Sequence, residues 1–232
     1  MATTYEAVIL AAGDYPTHPI ALDILKHTPY LVCCDGAAQG LITRGIIPHA
    51  IVGDGDSLPA HIKEQYPQLI HTETEQEYND LTKATRYTIK NLNLQPLARR
   101  SQSSTFSSTK SIFPRIAYLG CTGQREDHTL GNISLMAFYR REFHILPTMY
   151  TNNGFFTPAF GTQTFPSFPR QQVSIFRIHC NELTSEGLRW NSYPYSEWWQ
   201  GTLNEALSDS FTIHSDGEYI IFQTYEGEKD PQ

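Results

Sequence analysis

Residues 33–58, CCDGAAQGLITRGIIPHAIVGDGDSL, decide how the chain is read. Here two short apolar runs each end in a carboxylate beside glycine. Tyr30-Leu-Val-Cys-Cys34 leads into Asp35-Gly36, and His49-Ala-Ile-Val52 leads into Gly53-Asp54-Gly55-Asp56-Ser57. Short apolar runs suit parallel strands buried on both faces, and ligands of open α/β sheets sit beyond the carboxyl ends of the strands. The reading therefore puts Asp35, Asp54 and Asp56 on one rim. Carboxylates that close together must be neutralised, and a hard divalent cation with oxygen ligands does so. Gly53 and Gly55 let backbone N–H groups approach a phosphate. Taken alone, Gly-Asp-Gly-Asp-Ser also fits a surface turn. Two such endings, separated by a helix-sized segment, favour an active-site rim.

The rest of the composition narrows the function classes. The chain has 232 residues, enough for one large domain or two small ones. A net charge of −7 argues against a nucleic-acid binder that works by neutralising phosphates. It leaves room for a nucleotide held by a local metal and a few cationic side chains. No apolar stretch approaches the roughly 20 residues of a membrane span. The first residues, MATTYEAVILAAGDYP, read as an opening strand rather than a signal peptide. Cys33, Cys34, Cys121 and Cys180 have neither zinc spacing nor the look of a disulfide framework, so buried thiols in a reducing cytoplasm are expected.

Taken in order, Ala7 to Leu10 is a strand followed by a glycine turn, and Pro19 to His27 is a short amphipathic helix. Ala37 to Arg44 is a second helix, closed by Gly45. Leu58 to Tyr66 suits a short helix and Leu69 to His71 a short strand. In TETEQEYNDLTKATRYTIKNL the apolar spacing starts a helix at Asn79 or Asp80. Asp80 can serve there as a cap or macrodipole partner. Lys83, one turn on, can pair with it or touch a phosphate. Residues 95–110 are serine-rich and aperiodic, a surface loop in which Arg99 and Arg100 are solvated. Ile112 to Leu119 is a further strand. It runs into Gly120-Cys-Thr-Gly123-Gln-Arg125-Glu-Asp127-His128 and a helix that buries Leu130, Ile133 and Ala137. Arg125 has the planar fork that suits phosphate oxygens. Asp127 also fits a simple cap, and His128 a structural histidine.

After Met149 to Thr151 the composition turns to Phe, Pro, Thr and Ser. Gln172 to His179, Ser210 to His214 and Tyr219 to Thr224 read as strands separated by turns. That pattern predicts a small all-β domain, a sandwich, beginning between residues 150 and 165. Trp190, close to a turn, suits either packing or stacking on a flat cationic ring. Asn204 and Glu205 read as a polar turn or a clamp on a ligand.

Together, Asp35-Gly36-Ala37, Gly45-Ile-Ile-Pro48 and Ile51-Val-Gly-Asp-Gly-Asp-Ser57 resemble the signature of thiamine pyrophosphokinases. Later stretches resemble that family in the same order. They are Gln76 to Lys83, then Gly120 to His128 with Asn132, then Gly187-Leu-Arg-Trp190, then Asn204-Glu205. The resemblance implies an α/β (Rossmann-like, mostly parallel) domain over residues 1–155 that binds ATP and magnesium. A β-sandwich over 156–232 would contribute to thiamine binding and dimerisation. It implies a homodimer with active sites at the interface, and the composition adds a cytoplasmic protein that binds neither nucleic acid nor membrane. The implied reaction moves pyrophosphate from ATP to thiamine, giving thiamine diphosphate and AMP. By motif, Asp54, Asp56 and Asp80 would hold Mg2+, with Asp35 as support or orienter. Asp35, Gly36, Gly53, Ser57, Lys83 and Arg125 would bind ATP and its phosphates. Gln76, Asp80, Asp127, His128, Trp190 and Asn204 would line the substrate side. Catalysis would rest on Asp54, Asp56, Asp80, Arg125 and Asp127.

The chain departs from the pattern at Ala37, Gly55, Gln124 and Leu203. Gly55 should loosen its turn, and Leu203 stands where a serine often precedes the asparagine. Two alternatives stay open: a metal-dependent transferase acting on nucleotide sugars, and a protein that binds thiamine or its diphosphate without turnover.

Overall fold

The computed structural model describes residues 4–94 and 113–227, so the serine-rich stretch with Arg99 and Arg100, and Ile112, lie outside the described residues. The first half alternates strand and helix: β1 (Ala7–Leu10), α1 (Pro19–His27), β2 (Leu31–Cys34), α2 (Asp35–Ile42), β3 (Ala50–Gly53) and α3 (Ala60–Gln65). It continues through β4 (Ile70–Thr72), α4 (Asp80–Asn91), β5 (Arg115–Leu119), α5 (Glu126–Glu142) and β6 (Leu146–Tyr150). The strands pair in parallel in the order β6-β5-β1-β2-β3-β4. Every residue of β1, β2 and β3 is buried, as a parallel sheet covered on both faces requires. Alternation sorts their side chains. Val8, Leu10, Cys33 and Ile51 pack with Ala21 and Leu25 of α1 and Leu41 of α2. Ile9, Val32, Cys34 and Val52 pack with Leu81 of α4 and Met136 and Tyr139 of α5. The chain leaves β1 towards β4 on one side and returns to β5 on the other. The C-terminal ends of β1 and β5 thus flank the switch point where such sheets open a crevice.

The second half contains β7 (Gly154–Phe160), β8 (Gln163–Pro166), β9 (Gln171–His179), β10 (Leu183–Glu186), β11 (Asn204–Glu205), β12 (Ser210–Ser215) and β13 (Glu218–Gly227). It is an antiparallel β domain. Its strands β7, β13, β9 and β11 continue the first sheet to make ten strands, and β10-β12-β8 form a separate three-stranded sheet. The two sheets close on Val173, Ile175, Tyr219 and Ile221 from one side and Phe165, Leu183, Phe211 and Ile213 from the other. The composition change near residue 150 marks the point where the sheet turns from parallel to antiparallel. There β7 folds back on β6, pairing Phe155 with Tyr150 and Phe156 with Met149. Gly154 is required at this fold-back, because a Cβ there would lie 2.2 Å from the Gln223 carbonyl oxygen.

One expectation is corrected. Leu130 is 53% exposed rather than buried with Ala137, because most of the first turns of α5 stand clear of the sheet. Gly55 also has a conformational role in its turn. Its φ of +83° is the left-handed conformation that the loop takes, which glycine adopts without strain. All four cysteines are buried and free. Among the described residues no helix is long and apolar enough to cross a membrane.

Ile221 is fully buried between the two sheets. Ile221→Ala should lower unfolding free energy by about 2–5 kcal/mol in urea titrations.

Candidate active site

A cleft of about 260 Å³ opens at the switch point. Its walls are the loop after β1 (Ala11, Ala12, Gly13), the start of α2 (Asp35, Gly36), Ser57, the start of α4 (Asn79, Asp80) and the loop from Gly120 into α5. Of the residues singled out from sequence, Asp35, Gly36, Ser57, Asp80, Arg125 and His128 line this cleft, as does Asn132. Asp54 is close enough for its charge to act on Asp80. Gln76 is exposed on the loop before α4 and donates to the Thr74 carbonyl at 3.4 Å. Trp190 and Asn204 are not among the lining residues. They clamp each other on the β domain, the Trp190 N–H donating to Asn204 Oδ1 at 3.2 Å and Asn204 Nδ2 to the Trp190 carbonyl at 2.8 Å.

Asp35 organises the acidic rim. It is 4% exposed, and its carboxylate accepts from the N–H groups of Gly36 at 2.6 Å and Gly55 at 3.0 Å. Gly53 must lack a side chain, since a Cβ would lie 2.6 Å from Asp35 Cγ. Asp54 in turn accepts from the Asp56 N–H at 3.0 Å. Asp80 is the first residue of α4 behind its cap, Asn79. Burial, then the Asp35 charge, and more weakly Asp54, push its carboxyl above the usual range, while Lys83 pulls the other way. Lys83 is 4% exposed with its Nζ 3.4 Å from Asp80 Oδ1, so it is first of all the helix partner of Asp80.

That crowding is what a divalent cation relieves. Among the described residues, no three His, Cys, Asp or Glu side chains form a metal-holding group by themselves. Magnesium fits such a rim nonetheless. It takes one or two carboxylates, keeps water, and completes its shell with substrate phosphates.

On the other wall Arg125 precedes the first turn of α5 and grips Asp127 with its fork, Nε donating to Oδ1 at 3.1 Å and Nη2 to Oδ2 at 2.6 Å. The hydrogen bonds from Arg125 hold the Asp127 carboxyl below its ordinary value. Both side chains are solvent-exposed, so the pair is open to exchange with an incoming anion.

Reading the sequence missed the loop after β1 as part of the site. Its signal was Ala-Ala-Gly at a strand end. Gly13 approaches the loop after β5 so closely that a Cβ would lie 2.4 Å from the Thr122 carbonyl oxygen. The Gly13 and Asp14 N–H groups donate to Gly120 and Thr122, and Gln124 Nε2 donates to Asp14 Oδ1 at 3.0 Å. Gln124, a departure from the family pattern, thus braces the cleft mouth.

Two family models match the chain: "Thiamin pyrophosphokinase, catalytic domain" over residues 21–146, and "Thiamin pyrophosphokinase, substrate-binding domain" over residues 154–222. No curated protein matches it. Among solved structures it is similar to thiamine pyrophosphokinase from Bacillus subtilis, at 19% identity and a TM-score of 0.69, covering 95% of this chain and 99% of that one. It is also similar to thiamin pyrophosphokinase from Candida albicans, at 17% identity and a TM-score of 0.75, covering 95% and 90%. The yeast enzyme gives 17% identity, a TM-score of 0.75, and 95% and 86% coverage. At these identities the structures establish the shared fold.

The raised Asp80 carboxyl has a measurable consequence. A raised acid contributes stability that is full below the unfolded-state value and lost as pH rises through the folded one. In metal-free buffer, Asp80→Asn, which keeps an acceptor for Lys83, should melt above wild type at neutral pH. The difference should vanish as pH falls below the ordinary carboxylate range, as thermal melts across pH would show.

Proposed function

The chain belongs to the thiamin pyrophosphokinase family, and we propose that it transfers the pyrophosphoryl group of ATP to the hydroxyl of thiamine, releasing AMP. Family membership makes it an enzyme of thiamine diphosphate synthesis. The observation that carries the finer reading is the crowded acidic rim at the switch point, with Asp35, Asp54 and Asp80 facing a wall that bears Arg125.

The reaction forms a bond from the thiamine hydroxyl oxygen to the β-phosphorus and breaks the bond from that phosphorus to the oxygen leaving with AMP. Such transfers depend on positioning and charge neutralisation rather than covalent help from the protein. Asp54, Asp56 and Asp80 would hold Mg2+, which supplies positive charge against the phosphates. Asp35 would keep the rim in shape through its two backbone hydrogen bonds. The Gly36 and Gly53 backbone and Ser57 would meet phosphate oxygens. Arg125 would leave Asp127 for the phosphate, and Lys83 would add a second positive charge from beneath Asp80. The released Asp127, His128 and Gln76 would face thiamine.

The substrate side reaches beyond the cleft. Trp190 is 53% exposed with the Arg189 guanidinium 5.0 Å from its ring, so its face already accepts a cation. Thiamine carries a flat cationic ring. Asn204 holds the Trp190 backbone and would orient it. Trp190 shares the β domain's surface with exposed Tyr193, Trp198, Trp199, Leu203 and Leu207. An aromatic and apolar surface of that kind supports a homodimer in which Trp190 of one protomer completes the site of its partner. On this reading residues 1–155 bind ATP and magnesium, residues 156–232 contribute thiamine contacts and the dimer surface, and the protein works in the cytoplasm.

Leu203 favours a second reading, thiamine binding without turnover. It is 74% exposed with φ +65°, a strained conformation for leucine, and its side chain offers no hydrogen bond. Nothing in the family or the fold supports the nucleotide-sugar alternative.

AMP release from ATP and Mg2+, with and without thiamine, tests the proposal. Thiamine-dependent AMP is expected; thiamine binding with no AMP would select the second reading. Asp54→Ala and Asp56→Ala should lose magnesium-dependent turnover while keeping the wild-type circular dichroism spectrum, and full activity in either would remove that residue from the site. Trp190→Ala should raise KM for thiamine roughly tenfold, the worth of about 1–2 kcal/mol of cation–π stacking, in steady-state assays.

A further inference from the structure

The start of α4 is tied into the core by hydroxyl groups that the reaction does not use. Asn79 Oδ1 accepts from the Thr82 N–H at 3.0 Å and from Thr82 Oγ1 at 2.8 Å. A backbone N–H can only donate, so the atom facing it is the amide oxygen, and the Thr82 hydroxyl proton goes to that same oxygen. Thr82 Oγ1 also lies 2.8 Å from the Tyr139 hydroxyl, so Tyr139 must be the donor there. A directed chain therefore runs from Tyr139 through Thr82 to Asn79, the residue before Asp80. Thr82 is 1% exposed and Tyr139 0%, so water does not compete at the link between them, while Asn79 at its end is exposed. The Tyr139 ring lies between Tyr118 and Phe143, with centroids 5.6 and 5.4 Å away. Burial pushes its phenol well up, which keeps it a donor.

A parallel chain lies one turn further along. Thr85 Oγ1 donates to the Leu81 carbonyl at 2.7 Å and sits 3.1 Å from the Tyr118 hydroxyl. It ends on a carbonyl inside the helix and does not reach the cap.

We propose that Tyr139 is a positioning residue. By orienting Asn79 through Thr82, it sets the direction in which Asp80 enters the cleft and so raises the affinity of the acidic rim for a divalent cation. The inference rests on the reading of Asp80 as a cation-holding group.

The test is Mn2+ binding to the purified protein, followed by loss of the free-ion EPR signal, with melting temperatures measured alongside. Tyr139→Phe and Thr82→Val should each weaken binding about tenfold, the scale on which outer partners of metal sites act. Tyr118→Phe, which loses a buried hydrogen bond of the same kind, should bind as wild type does. Thr82→Ser, which keeps the hydroxyl, should bind tightly where Thr82→Val does not. Wild-type binding by Asp80→Asn would remove the cation-holding reading, and this inference with it. Weak binding by Asp80→Asn with wild-type binding by Tyr139→Phe would overturn the positioning role alone. Equal weakening by Tyr139→Phe and Tyr118→Phe would overturn it too, since general loosening of the helix would then suffice. Thr82→Val, close to threonine in volume, carries the test if Tyr139→Phe does not fold.

Discussion

One buried carboxylate ties the end of β2 to the loop after β3. Asp35 receives one hydrogen bond from the start of α2 and another from the loop after β3. A carboxylate withdrawn from water has to be met by charge or by several donors. Here backbone N–H groups and the positive end of α2 supply them. Two features of the neighbourhood follow. Gly53 has room for no side chain, because Asp35 fills the space a Cβ would take. Asp80 is harder to ionise, first because it is partly buried and then because the Asp35 charge lies nearby. The feature that shapes the rim is also one that concentrates negative charge there.

The wider architecture delivers partners to that rim from far along the chain. The parallel order brings the loops after β1, β2 and β5 together at the switch point, and α4 crosses back over the sheet so that its first turn opens beside β2. Beyond β6 the same sheet carries on into the β domain. The strand that bears Asn204 is thus hydrogen-bonded, through β9, β13 and β7, to the strands that end in the acidic rim. A continuous sheet is a stiff connection between the surface that presents Trp190 and the sheet that presents Asp35.

Much of this was legible in sequence, for identifiable reasons. Strands β1 to β3 stood out because burial on both faces leaves unbroken apolar runs. Asp35 and Asp54 stood out because each follows such a run beside glycine. Strand β7 did not. It contains Pro158, which argues against a central strand. The structure admits it because β6 pairs only with Phe155 and Phe156, leaving Pro158 paired through β13 alone. Gly55 looked like a weakness because spacing cannot show a backbone φ, and Leu130 looked buried because periodicity cannot show where the sheet beneath a helix ends. The fork between Arg125 and Asp127 was hidden for another reason. Arg125 was read for a phosphate and Asp127 for a substrate or a helix cap, and neither for what they do to each other.

That last pairing bears on how an acidic protein can take an anionic nucleotide. The whole chain carries −7, and the cleft adds Asp35 and Asp80, with Asp54 near by, to its own walls. Against them stand Lys83, already beside Asp80, and Arg125, already gripped by Asp127. Both cations are thus committed to carboxylates, which leaves little free positive charge for a phosphate. Exchange changes the balance. On the proposed reading, a divalent cation on the rim would offset the acids there, and a phosphate would then replace Asp127 at an exposed pair whose own strength in water is small. The freed Asp127, beside Arg125 on the cleft wall, would be a fitting neighbour for a positively charged second substrate. Charge alone would therefore favour an order of assembly in which metal and nucleotide enter first and the cationic substrate follows.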